Sequence, residues 1–128
     1  MTRASYLSPP DFQRLNWACM PIAEAFGAPV YLVGSVLERS DYRDIDLRLI
    51  LPDEDMVRLF GETGAYGTPE QPTPHGLWLL MNIALSDLIA KAASLPRPVD
   101  FQIQAMTEAN VPEHGARDAL GIRRQAAM

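Results

Sequence analysis

Apolar residues recur at helical spacing from Phe12 through Leu15, Cys19 and Ile22 to Phe26, which is one face of a 3.6-residue repeat. Ser8-Pro9-Pro10-Asp11 stands just before this run. It supplies a helix start: a hydroxyl cap, a proline where no amide partner is lost, and an acid at the positive end of the dipole. Gly27 is the expected stop. Pro21 is expected to kink or divide the helix, because it has no amide proton and its ring crowds the preceding turn. Pro29 to Val33 is short and almost wholly apolar, as a strand buried on both faces would be. Gly34-Ser35 closes it. Val36 to Arg39 reads as a helical turn whose free N–H groups face whatever lies beyond the strand, and Ser40 to Arg43 as a turn.

From Asp44 to Leu51 the period changes to two. Asp44, Asp46 and Arg48 fall on one face, and Ile45, Leu47, Leu49 and Leu51 on the other. Pro52 to Asp55 opens another helix, which Gly61 ends. Residues 61–74 hold glycines and prolines in close succession and predict a loop. Thr73-Pro74 opens the longest helix, to about Ser94, with Leu77, Leu80, Met81, Ala84, Leu85, Leu88 and Leu95 as its apolar set. Asn82, Ser86 and Lys91 form a narrower polar face, so this helix is expected to pack into the core. Pro96 and Pro98 follow. Val99 to Gln104 then alternates strictly, with Val99, Phe101 and Ile103 inward and Asp100, Gln102 and Gln104 on the opposite face. Residues 1–7 read as a loose start. Residues 105–128, with Arg117, Arg123 and Arg124, read as a weak helix or an ordered extension.

The chain has 128 residues, which fits one domain with its core over about 9–104 and an extension over 105–128. Its net charge of −5 argues against an extended DNA-binding surface, but not against a small site for an anionic nucleotide whose metal brings its own charge. A single cysteine, Cys19, excludes an internal disulfide and suits a reducing, cytoplasmic setting. The first residues carry no apolar run of signal-peptide type. The longest unbroken apolar run, Leu77 to Met81, is too short to span a bilayer, so no membrane role is expected.

The candidate chemistry lies at Asp44-Ile45-Asp46. Two carboxylates on one strand face repel by roughly 4 kcal/mol at about 4 Å and an effective dielectric near 20. A divalent cation turns that repulsion into attraction, and Mg²⁺ favours one or two carboxylates completed by substrate phosphates. Gly34 would let the backbone approach phosphate oxygens closely. If the strand of Asp100 pairs beside that of Asp46 in register, a third acid joins them, as metal-assisted phosphoryl transfer requires. Ser35 either holds phosphate or caps the following turn. Arg39 and Arg43 are within reach of phosphates, although turn arginines are more often solvated. Gly61, Gly64 and Gly67 do not form a P-loop, since no Gly-Lys-Ser/Thr follows; they belong to a surface loop or a lid. His75, His114 and Cys19 are too dispersed for a zinc site to be expected. Trp17 and Trp78 are expected to pack in the core or at a helix edge.

Val33-Gly34-Ser35, the eight residues that follow, Asp44-Ile45-Asp46 and the later Val99-Asp100-Phe101 resemble the polymerase-beta type nucleotidyltransferase superfamily, in particular its minimal, single-domain members. The element order supports the likeness over residues 9–104. The closing phrase Asp-Phe-Gln-Ile-Gln, followed by Met-Thr-Glu-Ala-Asn, also resembles small nucleotidyltransferase-like proteins predicted in bacteriophages. The resemblance implies an α+β fold, a small mixed sheet with helices mainly on one face. It implies transfer of a nucleoside monophosphate from an NTP such as ATP to an acceptor hydroxyl on a small metabolite, a protein side chain or an RNA end, with two Mg²⁺ ions or Mn²⁺ in their place. Gly34 and Ser35, with Arg39 and Arg43, would then hold the triphosphate. Asp44 and Asp46 would bind both metals, and Asp100 would bind the catalytic metal and favour deprotonation of the acceptor. Where many minimal members carry Arg-Gly after Gly-Ser, and Ser before the acidic pair, this chain has Glu38-Arg39-Ser40 and Arg43. A second, substrate-specifying domain is not expected within these 128 residues. These departures keep open a non-catalytic module that binds nucleotide, or a protein partner in the manner of an antitoxin.

Overall fold

The computed structural model describes residues 5–62, 64–70, 72–111 and 115–120. Its elements are α1 (Pro9–Phe26), β1 (Val30–Val33), a 3₁₀ turn (Gly34–Leu37), β2 (Ile45–Leu51), α2 (Asp53–Phe60), α3 (Gly76–Ala93), β3 (Val99–Ala105), a single turn α4 (Met106–Ala109) and β4 (Asp118–Leu120). The sheet runs in the order β3-β2-β1-β4. β1 is antiparallel to β2 and to β4, and β2 is parallel to β3. This is an α+β domain with a mixed sheet, the fold class expected.

Register sorts the side chains into two faces. Val30 pairs with Leu49 and Leu32 with Leu47. Leu47 pairs with Phe101 and Leu49 with Ile103. These residues are fully buried and join Leu15, Cys19 and Ile22 of α1, Met56 and Phe60 of α2 and Ile89 of α3 in one cluster. The other face carries Val33, Asp46 and Asp100 in one row and Tyr31, Arg48 and Gln102 in the next.

α1 starts where expected: the Ser8 side chain accepts from the Asp11 amide, and Gly27 ends the helix at φ +64°. Pro21 does not divide it. The carbonyl that loses its partner belongs to Trp17, and both residues are exposed, so the lost bond falls on the solvent side of the helix, where it costs little. The start of the chain is less loose than expected: Ser5 and Leu7 are buried, and the Tyr6 amide donates to the Val36 carbonyl at 2.8 Å. The extension also has structure. β4 adds an edge strand beside β1, with Leu120 fully buried. Arg123 and Arg124 lie outside the described residues.

α3 departs most from expectation. The Trp78 indole donates to the Ile103 carbonyl at 2.8 Å, Asn82 Oδ1 accepts from the Ile103 amide at 3.0 Å, and Ser86 Oγ accepts from the Phe101 amide at 2.9 Å. Tyr66 continues the row, its hydroxyl accepting from the Ala105 amide at 2.8 Å. These side chains, four residues apart on the helix, cap the free edge of β3. Asn82 and Ser86 of the supposed polar face are therefore packed, with Asn82 buried, while Lys91 is exposed and Met81 and Leu85 of the apolar set do pack against the core. Leu77, Leu79, Leu80, Ile83 and Leu88 are 43–62 % exposed. The reason is that an open strand edge presents backbone groups that need partners, and three polar side chains on one helix face supply them. α3 is also the one helix among the described residues long and apolar enough, at a mean hydropathy of 1.3 over 18 residues, to cross a membrane by length and composition. The unbroken-run criterion missed it because Asn82 and Ser86 interrupt the run.

Candidate active site

The parallel pairing of β2 and β3 places Asp46 directly beside Asp100. In-register neighbours project to the same face, so both carboxylates stand on the polar side of the sheet. Asp44 lies just ahead of β2 and is exposed, at the mouth of the same face. On the other flank Val33 pairs with Asp46, which brings the next residue, Gly34, against its carboxylate. Gly34 has φ +82°, a backbone that L side chains rarely adopt. A Cβ there would stand 2.5 Å from Asp46 Oδ2. Glycine is thus required twice, for the turn and for the space that the carboxylate fills. Val36, fully buried, anchors the 3₁₀ turn, and the Ser35 carbonyl accepts from the Glu38 and Arg39 amides, both at 2.9 Å.

A pocket of about 300 Å³ opens on this face, lined by Gly34, Asp46, Arg48, Gln102, Gln104 and Glu108 among others. Residues 115–117 form its far wall, and the Arg117 guanidinium lies 4.7 Å above the Tyr31 ring. A second, more apolar groove of about 490 Å³ runs between α3 and β3 and includes Leu79, Ile83, Val99 and Asp100. Gln102 lines both, and its amide donates to Asp100 Oδ1 at 3.4 Å.

Burial pushes the Asp46 carboxyl above its ordinary range; the Asp100 and Asp44 charges push the same way, and the Arg48 guanidinium opposes them. Arg48 is the residue that sequence reasoning left without a role. It donates to the Leu47 and Asp100 carbonyls at 2.7 and 3.2 Å, and its Nη2 lies 3.8 Å from Asp100 Oδ2. The available signal was its position two residues after Asp46 on the same face. It gives the acidic row a resident cation.

Arg39 pairs with Asp41 at 3.4 Å in an exposed turn, and Arg43 is exposed. Neither lines the pocket, and neither do Ser35, Asp44 and Asp100; of the three predicted acids Asp46 alone does. Cys19 is buried in α1, and burial pushes its thiol up to about 12, which leaves it inert. His75 caps α3 through the Leu77 amide, and His114 lies outside the described residues. Trp78 packs edge-on against Tyr66 as a helix-edge residue would, whereas Trp17 is 59 % exposed.

Among the described residues no group of three His, Cys, Asp or Glu side chains is placed to hold a metal ion, Asp44, Asp46 and Asp100 included. The donor set nevertheless suits a hard cation. Mg²⁺ takes oxygen ligands, usually one or two carboxylates, and completes its shell with water and phosphate. An acid whose charged form is disfavoured by burial and by two neighbouring acids gains from such an ion. No protein-family model, no curated protein and no solved structure matches the chain.

Proposed function

We propose that this chain is a cytoplasmic, metal-dependent nucleotidyltransferase that moves a nucleoside monophosphate from an NTP to an acceptor hydroxyl. The observation that carries the reading is the row Gly34–Asp46–Asp100, in which a positive-φ glycine touches one carboxylate and the second stands beside it across a parallel strand pair. Asp46 and Asp100, with Asp44 at the mouth, would hold Mg²⁺ or Mn²⁺. When bound, the ions neutralise the triphosphate and the charge that develops in the transition state.

The chain's own residues supply the rest. The bare backbone at Gly34 admits phosphate oxygens close to the turn. Asp100 accepts the proton of the acceptor hydroxyl. The acceptor oxygen then bonds to the α-phosphorus, and the bond from that phosphorus to the bridging oxygen breaks to release pyrophosphate. Arg48 steadies Asp100 in place through its carbonyl and carboxylate. The test is incubation with Mg²⁺, labelled NTPs and a cell extract. Pyrophosphate release and a labelled acceptor are expected from the wild type and not from the Asp46→Asn/Asp100→Asn double variant. Equal labelling by both proteins rejects the assignment.

A non-catalytic nucleotide-binding module is the second reading, and Arg48 favours it. A guanidinium 3.8 Å from Asp100 occupies part of the charge environment that a second metal needs. In that case Mg²⁺-NTP raises the melting temperature without any release of pyrophosphate.

A further inference from the structure

The strongest anomaly outside the acidic row is the outer face of α3. We propose that this face is the two-fold interface of a homodimer, in which two copies of α3 pack antiparallel and cross at Ala84.

Leu77, Leu80, Ile83, Ala84 and Leu88 share one side of the helix, opposite Asn82 and Ile89, which are buried. The large members expose 43 % (Leu77), 62 % (Leu80), 61 % (Ile83) and 52 % (Leu88) of their surface. Large exposed apolar side chains grouped on one side of a helix, here with Asp87 and Lys91 among them, mark an interaction surface. The strip is self-complementary. Ala84 is flanked four residues away on each side by leucine, Leu80 and Leu88. An antiparallel pair centred on Ala84 therefore sets each Leu80 against the Leu88 of its copy, as an isologous contact requires. The small side chain at the crossing lets the helix axes come within about 8–10 Å.

Charge points the same way. The charged residues on this side, Asp87 and Lys91, pair with each other at 3.0 Å, so the face carries no net charge to repel its copy. The same pairing lays the Lys91 stem over Leu77 of the other chain, where its methylenes cover apolar surface. A bilayer is the less suitable occupant. Insertion of α3 would strip Phe101 and Ile103 of the partners that Trp78, Asn82 and Ser86 provide. Surface binding normally relies on Lys and Arg along the helix flanks, and α3 offers Lys91 alone.

Sedimentation velocity on the full chain, from about 1 to 100 μM, tests the proposal over the range of ordinary dimer affinities. The wild type is expected to sediment at twice 14.2 kDa in the upper part of that range. Leu80→Lys/Ile83→Lys is expected to sediment as a monomer with an unchanged circular dichroism spectrum. Independently, Ala84→Cys should oxidise to a covalent dimer, because the position lies on the axis; Cys19 is buried and does not compete. A wild type that is monomeric throughout overturns the proposal. So does a dimer that survives Leu80→Lys/Ile83→Lys, or an Ala84→Cys chain that forms no cross-link. Flotation of the wild type with neutral or anionic vesicles, lost in the Lys variant, would contradict it in favour of a membrane.

Discussion

The polar face of the sheet and the helix α3 answer the same question in opposite ways. On β3 and the first half of β2 every second residue is polar, and those residues face away from the core as their period predicts; Ile50 then breaks the pattern of β2 and is buried. On α3 the polar residues Asn82 and Ser86 turn inward, whereas Leu77, Leu79, Leu80 and Leu88 are exposed. The difference lies in what each surface must satisfy. A central strand has its backbone groups paired on both sides, so its side chains sort by hydrophobicity alone. β3 is an edge strand, and its outer amides and carbonyls need donors and acceptors. α3 supplies them through Trp78, Asn82 and Ser86, and that need outweighs the burial of the opposite stripe.

Perturbing the two surfaces in parallel sharpens the contrast. The largest effect is expected at the acidic row, where Asp46→Asn should lower NTP turnover by about 10²–10³-fold, the scale lost when a preorganised charge-stabilising group is removed. Steady-state pyrophosphate release measures it. At α3, Asn82→Ala leaves the buried Ile103 amide unpartnered and should cost about 1–3 kcal/mol of folding free energy. Leu80→Gln on the outer face, at concentrations where the chain is monomeric, should change it by less than about 0.5 kcal/mol. Urea denaturation compares the two. If Leu80→Gln proves the more damaging, the orientation of α3 described here is wrong.

Gly34→Ala joins backbone and site. Forcing a side chain to φ +82° costs about 1–2 kcal/mol, and the new Cβ pushes the Asp46 carboxylate out of its row. Stability and Mg²⁺-NTP binding should fall together. A loss of stability with binding intact would separate the turn from the carboxylate.

The smallest effect is the pH dependence of Asp46. Its carboxyl is held above the ordinary 3.8, so between that value and the raised one the folded chain binds more protons than the unfolded chain. Stability then falls as pH rises through this window. Asp46→Asn removes the slope and makes the metal-free protein more stable than the wild type at neutral pH. Denaturation in EDTA at a series of pH values reads this directly.

The strands were legible because a period of two allows only two orientations, and Ile45, Leu47, Phe101 and Ile103 choose between them. The parallel pairing that sets Asp46 beside Asp100 was legible only as a condition, since no local pattern fixes which strands become neighbours. The role of Arg48 was hidden for the same reason: its partner, Asp100, is distant in the chain. The orientation of α3 was misread because its apolar stripe outweighed the 78–82–86 row in any count of hydrophobicity. That row, polar or hydrogen-bonding at every fourth position, was the available signal. β4 was out of reach, because a three-residue strand carries no period of its own.

The central claim is that Asp46 and Asp100 act together around one cation beside Gly34. Calorimetric titration of Mg²⁺ into the protein with a non-hydrolysable NTP, for the wild type, each Asn single variant and the double variant, tests it most directly. Strong coupling is expected: each single variant loses most of the binding, and the double variant loses little more. Losses that simply add, or binding unaffected by either change, would contradict it.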